Sequence, residues 1–366
     1  MKTTVSRRVF LGECMAFAAV GCSATKGVRQ SATVSDELRR QIAEGLMAGC
    51  VCGLVGGPLY AAGERTRHPV STPMTEDCIF DLASVGKTFT ASLCARLAAE
   101  GRLDPDAPFT KYLPEHVLAK ENCAITVRDL ATHTGGFDNS KPYILPDPAA
   151  FDRALFAKRP VRARDVAYEY ACSNFIYLGK IVEHLTGTDL ETAARTLLWN
   201  PLGMRDTCWH EIVGNPRAVE TFANGHLPPG MHGDESTRVY PWALGNGSAF
   251  STAGDMLKFA DDLLTRRTFP KTYYDLLSTP CWEKDGKRRS FGWDMSAGLH
   301  RPFGWSAATI AHGGFTGNTI AVDPERGFAG VVLTSRTGDR LKAYAGHGRL
   351  LSLMSGSRPV DALGVQ

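Results

Sequence analysis

Two β-hairpin signatures stand at opposite ends of this 366-residue chain, with a helix-rich middle between them. Near the front, the apolar run Cys50 to Val55 meets Gly56-Gly57-Pro58 and then Leu59 to Ala62. Apolar runs joined by strong turn formers read as paired antiparallel strands. Near the end, Asn318 to Val322 and Phe328 to Leu333 flank Asp323-Pro324-Glu325-Arg326-Gly327 in the same way. Elsewhere the periodicity is helical. Ser84 to Ala99 sets Phe89, Leu93 and Leu97 on one side and stops at Gly101, while Val127 to Thr132, Phe175 to Leu185 and Leu341 to Met354 are further helices. Ser35 to Met47 opens the folded part with a stripe of Leu38, Ile42 and Leu46. Strands from both ends share one sheet if the middle is an insertion that leaves and returns. The order therefore predicts an α+β fold: an antiparallel sheet flanked by helices, with a mostly helical region from about 104 to 240.

With 43% hydrophobic and 22% charged residues, the chain is an ordinary globular protein with a sizeable core. A net charge of +3, with basic and acidic residues interleaved, gives no broad surface for nucleic acid. The densest basic run, Lys284 to Arg289, reads as a solvated loop. Of ten cysteines, Cys14 and Cys22 fall in the leader described next. The other eight form no C-x-x-C pair of the kind that clusters with histidine around a metal, and they read mostly as small buried apolar residues.

The first residues carry an address. Ser6-Arg7-Arg8-Val9-Phe10-Leu11 resembles a twin-arginine export signal, and the apolar run after it, Cys14 to Val20, is too short to span a bilayer. Residues 1–22 are expected to be an export signal and the mature protein periplasmic. Ala19-Val20-Gly21-Cys22 resembles a lipoprotein cleavage box, so Cys22 is a candidate for lipidation and membrane attachment; a plain cleaved signal is the alternative.

Chemistry enters at Ser84-Val85-Gly86-Lys87. Residues three apart at the start of a helix share a face, so the amine of Lys87 can reach the hydroxyl of Ser84. A serine hydroxyl becomes a nucleophile when a base takes its proton, and a lysine serves as that base when burial lowers its pKa. The spacing alone is weak, because Ser23-Ala24-Thr25-Lys26 repeats it near the export signal. Context separates the two. Phe80-Asp81-Leu82-Ala83-Ser84-Val85-Gly86-Lys87-Thr88-Phe89-Thr90 resembles the nucleophile segment of the serine β-lactamase superfamily, which includes class C β-lactamases, D-alanyl-D-alanine carboxypeptidases and related esterases. Further blocks follow in family order: Tyr112-Leu113-Pro114-Glu115, Leu130 to Gly136, Asn200-Pro201-Leu202-Gly203-Met204, Gly245 to Asp255, and Ala311 to Gly317.

The resemblance implies a β-lactamase/transpeptidase-like serine hydrolase domain over residues 33–355 that needs no metal or organic cofactor. Its partner would be a small-molecule or peptide substrate. Ser84 would be the nucleophile. The family's second motif, Tyr-x-Asn or Tyr-x-Asp, can be laid on Cys172-Ser173-Asn174 or on Tyr170-Ala171-Cys172; the second keeps the tyrosine and places Cys172 where Asn or Asp usually stands. Tyr170 would then exchange protons beside Lys87. His312-Gly313-Gly314 matches the third motif, with substrate expected to approach its two small residues closely, and the backbone N–H groups of Ser84 and Phe315 would form the oxyanion hole. A neutral imidazole at 312 and no hydroxyl at 313 would leave the motif without the usual carboxylate anchor, which favours an ester or D-alanyl peptide over a β-lactam. A β-lactamase, or a non-catalytic penicillin- or peptide-binding member, is the alternative. His133 with Gly135-Gly136 reads as a helix end and turn, and His232 and Asp234 as a polar loop at the rim of the site.

Overall fold

The computed structural model describes residues 34–357 apart from 224. Arg7, Arg8, Cys14, Cys22, Ser23 and Lys26 lie outside them. In chain order the strands are β1 (Met47–Leu54), β2 (Leu59–Thr66), β3 (Thr72–Pro73), β4 (Ile79–Asp81), β5 (Phe250–Thr252), β6 (Trp282–Lys284), β7 (Lys287–Ser290), β8 (Trp293–Asp294), β9 (Ile310–Gly314), β10 (Asn318–Asp323) and β11 (Phe328–Arg336). The helices used below are α1 (34–43), α2 (Lys87–Ala99), α3 (Val127–Thr132), α4 (Cys172–Thr186), α5 (Glu235–Val239), α6 (Ala253–Thr265) and α7 (Arg340–Met354).

Both expected hairpins form, and they meet: β1 pairs antiparallel with β11, with Val51 opposite Leu333. That junction lies inside a nine-stranded sheet of order β3-β2-β1-β11-β10-β9-β8-β7-β6, while β4 and β5 make a separate two-stranded sheet. Successive side chains of a strand face opposite ways. Cys50, Cys52 and Val332 accordingly join Val34, Leu38, Leu350 and Leu351 in a small core under α1 and α7. Val51, Val331 and Leu333 enter the large core with Phe89 of α2 and Phe259 of α6. The chain leaves this sheet after β3 and returns at β6, and the β4–β5 pair and α2 to α6 lie in the excursion.

Two boundaries differ from expectation. Gly45 takes φ +70° and ends the first turn beyond α1, because Met47 already belongs to β1. The Ser84 helix opens as a 3-10 turn, Ala83–Gly86, before α2 begins. The basic run is a correction of substance. Lys284 to Arg289 forms the β6–β7 hairpin, whose turn residues Asp285 and Gly286 have φ +50° and +73°. Positive φ at both central positions is what a two-residue hairpin demands and Asp-Gly supplies. Arg289 is thereby buried rather than solvated. All eight described cysteines are free thiols; six are buried, and Cys123 and Cys281 partly so. Among the described residues, no helix is long and apolar enough to cross a membrane.

Candidate active site

Strand β4 delivers Ser84. At its end the Asp81 carboxylate accepts the N–H of Ala83 at 2.8 Å and that of Gly233 at 2.6 Å. Burial pushes this carboxyl up to about 7, against the opposing pull of those two bonds. Ala83 is held at φ +44°, a left-handed geometry that costs a non-glycine residue about 1–3 kcal/mol and persists where the surroundings enforce it. Those surroundings press close. A Cβ on Gly314 would stand 2.3 Å from the Leu82 carbonyl oxygen, and one on Gly247 2.3 Å from that of Ala83. The small residue at 314 therefore admits the nucleophile turn, not substrate, and it does not line the cavity.

Ser84 Oγ lies 2.6 Å from the Tyr170 hydroxyl and 3.0 Å from Lys87 Nζ. Lys87 also donates to the Asn246 carbonyl and stands 3.9 Å from Cys172 Sγ. Its partners are a hydroxyl, a carbonyl and a thiol, none of them a carboxylate. Burial lowers its pKa, only partly countered by Cys172 and Asp234. The same burial, reinforced by Cys172, pushes Tyr170 well above the ordinary phenol value, although the bond from Ser84 works the other way. Burial thus disfavours the charged form of each group.

The second motif lies as Tyr170-Ala171-Cys172 would place it: Tyr170 is at Ser84, whereas Asn174 Nδ2 meets His133 Nδ1 at 3.2 Å. His133 does close α3 in the left-handed region, as a helix end should, but it also carries the tyrosine segment. Its Nδ1 takes the Ala171 N–H at 3.2 Å, its carbonyl takes the Glu169 N–H, and its ring centroid lies 4.6 Å from that of Tyr170. Burial holds it neutral.

His312 is likewise buried and its pKa depressed. Its Nδ1 lies 3.0 Å from the Gly313 carbonyl, which can only accept, so the proton sits on Nδ1 and Nε2 is left as an acceptor. A Cβ on Gly313 would stand 2.3 Å from His300 Cε1, so the space of the missing side chain is filled by an imidazole from the loop after β8. Burial brings His300 down to about 4, and its Nδ1 has no partner among the described residues.

A cavity of about 750 Å³ opens in front of Ser84, lined also by Tyr170, Cys172, His312, Gly313 and Phe315. Four basic side chains, Lys141, Arg289, Arg336 and Arg340, face it against two acidic ones, Asp234 and Asp294. Lys141 and Asp234 pair at 3.5 Å. Arg289 is only 3.5 Å from Asp294 and 5.2 Å from the Tyr168 ring, yet its Nε and Nη2 have no hydrogen-bond partner among the described residues. The third motif supplies no cation, and the guanidinium of Arg289 faces the cavity from β7 instead. Arg336 donates to the Phe315 carbonyl at 2.7 Å and Tyr344 to that of Gly314 at 2.8 Å, which fixes the turn after β9. Among the described residues, no intramolecular acceptor takes the N–H of Ser84 or Phe315. Of the two rim residues, Asp234 lines the cavity, whereas His232 is buried against Phe250.

Sequence reasoning missed Arg289, His300 and Arg336, and it read His133 as a helix end without its contact to Tyr170. Only Arg289 carried a usable local signal, the Asp-Gly turn that turns a basic run into a hairpin.

A family model described as Beta-lactamase matches residues 52–353. Esterase EstB of Burkholderia gladioli is 28% identical over 366 residues, covering 86% of this chain and 91% of that protein. Among solved structures, EstCE1, described as a hydrolase with promiscuous acyltransferase activity, superposes with TM-score 0.74 at 19% identity, over 89% of this chain and 98% of that one. The D-alanine carboxypeptidase AmpC of Burkholderia cenocepacia gives 0.70 at 20% identity, over 88% and 99%. A serine, a buried lysine and a tyrosine meeting in this fold agree with the match over most of the chain, and the protein belongs to the Beta-lactamase family of serine hydrolases.

Proposed function

We propose that the protein hydrolyses an ester or D-alanyl peptide that bears a carboxylate, through an acyl-enzyme on Ser84. The observation that carries this is the Ser84 hydroxyl held between Tyr170 at 2.6 Å and a buried Lys87 at 3.0 Å. Lys87 takes the Ser84 proton as Oγ attacks the acyl carbon. The oxygen that gains charge is met by the N–H groups of Ser84 and Phe315, donors worth about 3 kcal/mol each. Tyr170 relays the proton to the leaving group, and water then takes the place of Ser84 by the reverse route. Cys172 stands at Lys87 where an amide or carboxylate is usual in the family; a thiol there leaves the lysine less solvated. The basic excess of the cavity supports a substrate with a carboxylate, as do a curated relative named as an esterase and a solved structure named as a D-alanine carboxypeptidase.

The test is a panel of p-nitrophenyl esters, D-alanyl peptides and nitrocefin with wild type and Ser84→Ala. Turnover of an ester or peptide should fall at least about 10⁴-fold in the variant, with loss of the acyl adduct by mass spectrometry. An adduct surviving on Ser84→Ala, or activity confined to nitrocefin, overturns the proposal. We propose further that the chain is exported through its Arg7-Arg8 signal, with Cys22 as the candidate lipid anchor.

A further inference from the structure

Away from the cavity, where β2 runs out, two exposed imidazoles close on one buried carboxylate. Glu220 is fully buried, and His68 and His226 are about half exposed, with side-chain exposures of 59% and 49%. Glu220 Oε1 is 2.8 Å from His68 Nδ1 and also contacts His226 Nε2. Its other oxygen, Oε2, is occupied by the backbone N–H groups of Arg67 and His68. The carboxylate is therefore aimed, one oxygen fixed by the backbone and one presented to the two rings. The Phe222 ring lies 6.1 Å from that of His68 and 6.0 Å from that of His226, and walls the cluster on one side. One ligand atom from each of the three residues can be chosen so that all lie within 4.8 Å of one another.

We propose that His68, Glu220 and His226 form a zinc site. Two imidazole nitrogens and a monodentate carboxylate oxygen are a recognised donor set for Zn²⁺, whose Zn–N bonds run about 2.0–2.1 Å, with water completing a tetrahedron. The exposed rings need only turn slightly to contract around the ion, and the backbone bonds to Oε2 supply the orienting contacts that ligating carboxylates require. No cysteine takes part, and no pattern in the chain announces the site, because 152 residues separate His68 from Glu220. Its place gives it a task. Val219 N–H donates to the Ile79 carbonyl of β4, Glu220 N–H to the Arg65 carbonyl of β2, and the Glu220 carbonyl accepts Ser335 Oγ of β11. A metal here ties the loop after β2 to the segment that braces β4, the strand leading into the nucleophile turn. It is a clamp on the scaffold, not a participant in acyl transfer.

The test uses the purified protein, stripped with chelator, titrated with Zn²⁺ by calorimetry and with Co²⁺ by absorption, alongside His68→Ala and His226→Ala. Both substituted rings are exposed, so the variants fold. The expected result is one Zn²⁺ per wild-type chain, affinity at least tenfold weaker in each variant, and a melting temperature that Zn²⁺ raises in wild type only. The cobalt spectrum should lack a thiolate charge-transfer band. Absence of saturable uptake by wild type, uptake unchanged in both variants, or a thiolate band that places the metal on cysteine each overturns the site. None of these outcomes depends on the assignment of Ser84.

Discussion

Replacing Arg289 with methionine keeps the unbranched stem and removes the guanidinium, and its effect can be worked from what surrounds that group. The side chain is 5% exposed, its Nη1 is 3.5 Å from Asp294, and its Nε and Nη2 are unused. A hydrogen bond from such a donor to a charged acceptor is worth about 1.5–3 kcal/mol. At about 1.4 kcal/mol per tenfold, one bond to a substrate carboxylate corresponds to a loss of roughly 10- to 150-fold in kcat/KM. The unpaired Asp294 left behind would add repulsion and push the loss toward the upper end. A neutral substrate loses only the packing against Tyr168, and a change of a few-fold is expected. The assay is two matched pairs: a D-alanyl-D-alanine peptide against its C-terminal amide, and mono-p-nitrophenyl succinate against p-nitrophenyl butyrate. Wild type should prefer the charged member of at least one pair, and Arg289→Met should erase that preference. If the variant slows charged and neutral members equally, Arg289 is a structural residue and the carboxylate reading fails.

Burial of Lys87 gives a prediction in pH. Because the neutral amine is the base, kcat/KM should rise with pH along an acid limb that lies below the ordinary lysine range; Lys87→Arg, which stays charged, should lose activity by orders of magnitude at every pH. For stability, a lysine whose folded pKa is depressed binds fewer protons folded than unfolded, so its burial costs most below the folded pKa and nothing above the unfolded value. Lys87→Met should therefore gain in Tm relative to wild type at low pH, by a degree or more, since about 1 kcal/mol moves Tm by roughly 1–1.5 °C in a chain of 366 residues; a gap that widens as pH rises refutes the burial argument. Replacing Arg7 and Arg8 together by Lys should strand the precursor in the cytoplasm, and the mass of the mature N-terminus reports whether Cys22 is lipidated; unchanged export of the double variant counts against the twin-arginine reading.

What could be read from the chain was what is local or ordered along it. Ser84 and Lys87 face each other because one helical turn puts them there, and the hairpins announce themselves through their turns. Tyr170 could be placed only through its order among the family blocks, since nothing near it in sequence points to Ser84. The electrostatics of the cavity were not legible. Arg289 reaches the site because β7, β8 and β9 are neighbours in the sheet, and His300 because the loop after β8 folds back over β9. His133 was read correctly as a helix end, yet the left-handed turn that makes it so also swings its ring under Tyr170. One conformation serves both purposes, and only the first has a sequence signature.

The imidazole filling the space beside Gly313 means that the third motif is assembled from two places. Position 313 offers no side chain, and the loop after β8 delivers an imidazole in its place. Grafting a hydroxyl onto position 313 alone would be overpacking rather than restoration, because His300 must leave before the new side chain can enter. Conversely, changing the loop alone would empty the space and leave Ser84, Lys87 and Tyr170 untouched. The group beside the third motif and the Ser84–Lys87–Tyr170 cluster thus stand on separate segments, so exchanging the loop after β8 would test what the cavity accepts without touching the atoms that react.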